Sequence, residues 1–245
     1  MQSIQTISEN TIYVGASDRR LAKFENLFPI PRGVSYNAYV ILDEKTALLD
    51  TADASVGAQF LENVAAALDG RKLDYLIVDH MEPDHAAMIE AVLVRWPDLR
   101  LVVNAKTLPM LKMYFPTDSA AIDDALVVKE GDTLDLGKHK LTFVMAPMVH
   151  WPEVMMTFDT TTGTLFSADA FGTFGALEGA LFADEVDFAG KWLDDARRYY
   201  TNIVGKYGVQ VQAVLKKAAG LDIETVCSLH GPILHKEQLA DVLAA

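Results

Sequence analysis

Tyr75-Leu76-Ile77-Val78-Asp79-His80-Met81-Glu82-Pro83-Asp84-His85 is the stretch on which the fold turns. Its four leading apolar residues read as a short buried strand. Behind them, His80, Glu82, Asp84 and His85 place four potential metal ligands within six residues. Glu82 precedes a proline, which disfavours helical backbone at Glu82 itself. The motif is therefore expected not to be helical, unlike a His-Glu-x-x-His zinc helix whose ligands sit one turn apart. In an extended segment residues 80, 82 and 84 point to one side. After the motif, Met88, Ile89, Val92, Leu93 and Trp96 carry the spacing of a helix with one buried face. The ligands thus belong to a strand-to-helix turn at the carboxyl end of a strand, a common address for active sites in layered α/β proteins.

Working outward, strands are expected over 11–15, 36–42, 47–51, 101–103, 126–128, around Leu134, and over 141–145, 155–159, 164–167 and 223–228. Helical spacing covers 55–68, 107–113, 188–215 and 236–243, with Gly205 and Gly208 interrupting the third. Strands with a helix, followed by more strands with a helix, imply two sheets packed face to face with helices outside. No short-period repeat, low-complexity tract or Gly-, Pro- or Ser-rich linker divides the chain. One domain over 1–245, built of two similar halves, is the expectation.

Composition narrows the class. The chain has 245 residues, 51% of them hydrophobic, ample for a sizeable core. No run of roughly 18 apolar residues is present, so a membrane span is not expected. The start, MQSIQTISEN, lacks a basic end followed by an apolar core, and so lacks a secretory signal. The single cysteine, Cys227, excludes an internal disulfide and reads as a buried small hydrophobe. These features fit a cytoplasmic protein. A net charge of −13 repels phosphate backbones and anionic lipid, arguing against nucleic-acid or membrane partners.

A lone histidine is more often structural or exposed than a ligand. His139, in the polar turn Gly137-Lys138-His139-Lys140, and His235, at the start of the last helix, are read that way. His150, Asp169 and His230 differ, because each follows an expected strand and precedes a turn: Trp151-Pro152, Ala170-Phe171-Gly172 and Gly231-Pro232. Three strand ends thus add one ligand each to the local motif.

This pattern of His-x-Glu-x-Asp-His, then a distant His, Asp and His, resembles the diiron domain of the flavodiiron proteins, a variant of the metallo-β-lactamase fold. The segments 33–39, Leu49-Asp50-Thr51, 166–172 and Leu229-His230-Gly231-Pro232 look like that family too, so the likeness covers nearly the whole chain. It implies an αββα sandwich of two mixed sheets. It also implies two iron ions, one held by His80, Glu82 and His150 and the other by Asp84, His85 and His230. Asp169 and a hydroxide or oxide would bridge them. Chemistry points the same way: two imidazoles and a carboxylate per ion suit non-haem iron with open positions. Related zinc hydrolases have His where Glu82 stands, and the extra negative charge favours an oxidised pair, whereas zinc has no redox chemistry to tune.

The resemblance implies binding and reduction of O2, or of NO, in a pocket for which Tyr36, Trp151, Phe171 and Phe174 are the candidate walls. They read equally well as ordinary core aromatics. Full-length flavodiiron proteins continue into a flavodoxin-like domain carrying FMN, and this chain stops at Ala245 without one. Turnover would then need an external electron donor, rubredoxin- or flavodoxin-like. Without a fast donor, the behaviour is that of an oxygen sensor reporting to a signalling partner. Head-to-tail association in the family implies a homodimer. A dinuclear-metal hydrolase is the reading from a different class.

Overall fold

The computed structural model describes residues 3–244, with only the backbone of Asp118 and Ser119. The first sheet has seven strands in the order Gln5–Ser8, Thr11–Tyr13, Tyr39–Leu42, Thr46–Leu49, Tyr75–Ile77, Arg100–Asn104 and Leu126–Val128. From Thr46–Leu49 onward its neighbours are parallel. Parallel strands need crossovers, and the helices Gly57–Leu68 and Ile89–Arg95 supply the first two. The second sheet has six strands, ordered Thr133–Asp135, Lys140–Met145, Met155–Asp159, Thr164–Phe166, Thr225–Cys227 and Leu234–His235. Only the Thr164–Phe166 and Thr225–Cys227 pair is parallel, joined through the long helical stretch between them. Two mixed sheets with helices outside are the architecture the sequence pattern implied.

Strand alternation decides what each face buries. Tyr39, Ile41, Ala47, Leu49, Ile77 and Val102 of the first sheet meet Leu141, Phe143, Met155, Phe166 and Cys227 of the second in one cluster. The intervening residues, such as Val40, Leu48, Leu76 and Leu101, turn outward onto Phe60 and Val64 of the first crossover helix. Cys227 is fully buried between the sheets, and burial pushes its thiol well up.

Several local expectations need correction. The strand expected over 36–42 starts only at Tyr39. Asn37 leaves the ladder because its amide donates to the carbonyls of Ser228 and Gly231, both at 2.9 Å, stitching the two sheets together. The stretch 188–215 is indeed broken around its glycines. It also widens into π-helix at Phe188–Trp192 and Tyr200–Val204, before a 3-10 turn at Gly205–Tyr207 and the α-helix Gly208–Ala218. His235 ends a two-residue strand and stacks on Phe182 at 4.7 Å, and the last helix opens one residue later at Lys236. His139 is fully buried, with its Nδ1 at 2.7 Å from Asp159 Oδ2. Among the described residues no helix is long and apolar enough to cross a membrane.

Candidate metal centre

The candidate ligands gather beyond the strand ends at one end of the sandwich. Asp50 closes the strand Thr46–Leu49 with a left-handed backbone, φ 54°. Its Oδ1 accepts the N–H groups of Asp79 at 2.9 Å and His80 at 3.2 Å. Glu153 accepts the N–H of Met81 at 3.0 Å. Two buried carboxylates thus fix the path of the chain just ahead of the motif.

The motif itself changes conformation halfway. Glu82 is extended, with φ −59° and ψ 141°, as the residue before a proline should be. Pro83 then occupies the first position of a helical turn, Pro83–Ala86, where its fixed φ and missing N–H are no handicap. The fully extended motif expected from the sequence is therefore wrong beyond Glu82: Asp84 and His85 project from a helix. The turn still brings them to the same place.

The donors fall into two groups. His80, Glu82, His150 and Asp169 form one, and Asp84, His85 and His230 the other, each with one ligand atom apiece within 4.8 Å of the rest. Asp169 stands between them. Its Oδ2 lies 3.0 Å from His150 Nε2 and 3.5 Å from His80 Nε2. Its Oδ1 lies 3.1 Å from His85 Nε2 and 3.6 Å from His230 Nε2. Glu82 Oε2 is 2.8 Å from His150 Nε2, and Asp84 Oδ2 is 3.3 Å from His230 Nε2.

Outer partners orient the imidazoles. His80 Nδ1–H donates to Glu153 Oε1 at 2.8 Å, and His230 Nδ1–H to the Ser35 carbonyl at 2.7 Å. Each bond leaves Nε2 bare and directed inward, the tautomer a metal ligand needs. Both oxygens of Asp84, Asp169 Oδ1, His85 Nε2 and His230 Nε2 are buried without a hydrogen-bond partner. Buried polar atoms are normally satisfied. So many unsatisfied acceptors aimed at one spot fit a pair of cations.

Electrostatics agree. Burial alone would lower the imidazole pKa values. Hydrogen bonds and charges from Asp169, Glu82 and Glu153 outweigh it at His80, raising it well above its ordinary value. At His150, hydrogen bonds to Asp169 and Glu82 overcome the same burial, and at His85 the charges of Asp84 and Asp169 do; both rise to about 9. Burial would raise Glu82, yet hydrogen bonds from His150 and His80 bring it down to about 2. The carboxylates thus demand positive charge, which protons on the imidazoles can provide and which metal ions can replace.

The aromatic surroundings overlap only partly with the four expected walls. Tyr36 packs edge-on to His230 at 5.8 Å, and Trp151 lies perpendicular to His80 at 5.5 Å. Phe174 stands one ring further out, against Phe24 at 5.5 Å and Tyr199 at 5.1 Å. Phe171 lines an apolar cavity of about 440 Å³ that runs beside Asp169, with Tyr199 and Val204 also in its wall. Sequence reasoning missed Phe24 and Tyr199, each with its ring 5.4 Å from His230. It also missed Glu153 and an exposed carboxylate, Glu25, beside Glu82 and Asp84. Phe24 and Glu25 lie in a hairpin too short to show a period, and Tyr199 lies where the helix departs from 3.6 residues per turn.

Known proteins show the same arrangement. A family model described as the ODP family beta lactamase matches residues 34–231. The chain is 35% identical over 235 residues to a nitric oxide reductase of Moorella thermoacetica, covering 94% of this chain and 57% of that protein. The crystal structure of the flavodiiron protein from Giardia intestinalis superposes with a TM-score of 0.93 at 27% identity, covering 100% of this chain and 58% of that one. Rubredoxin oxygen:oxidoreductase from Desulfovibrio gigas gives 0.91 at 30% identity, over 98% of this chain and 60% of that one. The chain thus spans little more than half the length of these relatives. On the family match, the shared fold and the buried His, Asp and Glu cluster, the chain belongs to the ODP family of β-lactamase-like proteins, as a metallo-β-lactamase-like diiron domain of the flavodiiron kind.

Proposed function

We propose that the cluster holds two iron ions and that the domain binds and reduces O2 or NO. His80, Glu82 and His150 hold one ion, Asp84, His85 and His230 the other, and Asp169 serves both. The observation that carries this reading is the position of Asp169, whose two oxygens face separate ligand groups. When bound, the iron pair supplies open positions and electrons for a diatomic molecule. The chain's own residues do the rest. Glu153 and the Ser35 carbonyl keep His80 and His230 in the ligating tautomer. Phe24, Tyr36, Trp151 and Tyr199 surround the imidazoles with rings, limiting water and leaving room for a small neutral ligand.

Relatives named as nitric oxide reductase and rubredoxin oxygen:oxidoreductase support O2 and NO as ligands and a rubredoxin-type electron donor. A slow supply of electrons turns the same chemistry into oxygen sensing for a signalling partner. The test is anaerobic reduction followed by addition of O2 or NO, watched by absorbance, with iron counted on the same sample. Two irons and a band that changes with reduction and gas are the expected result. A colourless zinc protein that hydrolyses thioesters would replace this reading with a hydrolase. Gas consumption on adding reduced rubredoxin distinguishes a reductase from a sensor.

A further inference from the structure

The seven clustered side chains are not equally shielded. His80, His85, Asp169 and His230 have no exposure, whereas Glu82, Asp84 and His150 keep 4%, 3% and 6%. The cluster therefore has one outer face, and Glu25 overhangs it. Glu25 lies in the turn between the short strands Lys23–Phe24 and Phe28–Pro29, which pair antiparallel. The N–H of Leu27 donates to the Phe24 carbonyl at 2.9 Å, and Glu25 and Asn26 have φ values of 51° and 54°. Two successive left-handed residues closed by that bond form a type I′ turn. Phe24 anchors the hairpin: it is 2% exposed and stands perpendicular to His230 at 5.4 Å.

The turn brings a carboxylate oxygen of Glu25 within 4.8 Å of oxygens on Glu82 and Asp84. Like charges at this spacing repel unless a cation or protons sit among them. Burial and the charges of Glu82 and Asp84 accordingly push Glu25 above its ordinary pKa. Both oxygens of Asp84 are buried and make no hydrogen bond, so nothing on the protein side satisfies them. An ion at about 2.0–2.2 Å from carboxylate oxygens would draw the three together by a few tenths of an ångström.

We propose that Glu25 is a capping carboxylate for the metal pair. It reaches the outer face from the hairpin, ligates there at rest, and must turn aside before an external ligand enters. A negative cap discriminates by charge: neutral diatomics displace it more readily than anions, which also meet its repulsion. The proposal rests on the metal reading above and adds a selectivity device to it.

The test uses the full chain, as wild type, E25Q and E25A, each metal-free and then loaded with iron. Thermal midpoints with and without metal give one readout, and azide titration of the loaded proteins by absorbance gives the other. Glu25 is exposed, so both variants should fold. The metal-free E25Q should melt higher than wild type, because a repulsion is gone. Its gain on iron addition should be smaller, because a ligand is gone. Azide should bind E25A at least tenfold more tightly than wild type, with E25Q between. Equal gains and equal azide affinities in all three proteins overturn the cap while leaving the metal centre intact. No gain in wild type on adding iron removes the metal reading and the cap with it.

Discussion

The Nδ1 of His80 lies 2.8 Å from Oε1 of Glu153, and neither side chain has any measurable exposure. The same oxygen accepts the Met81 N–H. One carboxylate therefore sets both the tautomer of a candidate ligand and the backbone beside it. Replacing it by an amide, Glu153→Gln, keeps the shape but no longer enforces that tautomer. Metal affinity should fall about 10- to 100-fold, measured by competition against a chromogenic chelator.

Asp169 is the one candidate ligand that faces both groups of donors. Asp169→Asn should lower occupancy at both positions together. His230→Asn, which removes a donor from one group only, should leave about half the metal bound. Elemental analysis of proteins purified side by side checks this. Equal losses in the two variants would contradict a bridging position for Asp169.

Gly231 follows His230 directly and has φ +80°, and a Cβ there would lie 2.0 Å from Thr173 Cγ2. Gly231→Ala should therefore destabilise the fold by about 2–4 kcal/mol through overpacking and backbone strain. Adding Thr173→Ser removes the clashing methyl and should recover part of that loss. The left-handed backbone cost, about 1 kcal/mol, stays. Urea unfolding of the single and double variants separates the two contributions.

Acid behaviour has a worked sign at Asp18. Hydrogen bonds from Arg20, one of them from the guanidinium at 2.7 Å, bring its pKa down from 3.8 to about 2. A depressed carboxylate contributes stability that is present above the unfolded value and lost as pH falls through the folded one. The contribution should thus disappear between pH 4 and pH 2. Arg20 is 71% exposed, so the pair is worth only about 1 kcal/mol at neutral pH. Asp18→Asn should show a shallower loss of stability over that window, read by urea midpoints at several pH values.

How legible all this was in the sequence depended on the range of the signal. Alternation marked the strands whose two faces are both buried, such as Tyr39–Leu42 and Met155–Asp159. It was silent on Lys23–Phe24 and Phe28–Pro29, two residues each. The seven clustered residues stood out because each of the distant ones follows a strand and precedes a turn. Glu153, Glu25 and Tyr199 carry no such mark: their importance arises from neighbours 43 to 73 residues away or more, as with Glu153 and His80. His139 shows the same limit. Flanked by lysines it reads as a surface turn, yet Asp159, twenty residues on, draws it inside.

The lone thiol of Cys227, sealed where the two sheets meet, gives the molecule a built-in timer. A colorimetric thiol reagent has nothing to react with while the layers stay together. Each labelled molecule therefore reports one separation of the sandwich, and the labelling rate counts openings that no optical probe of the metal centre would register.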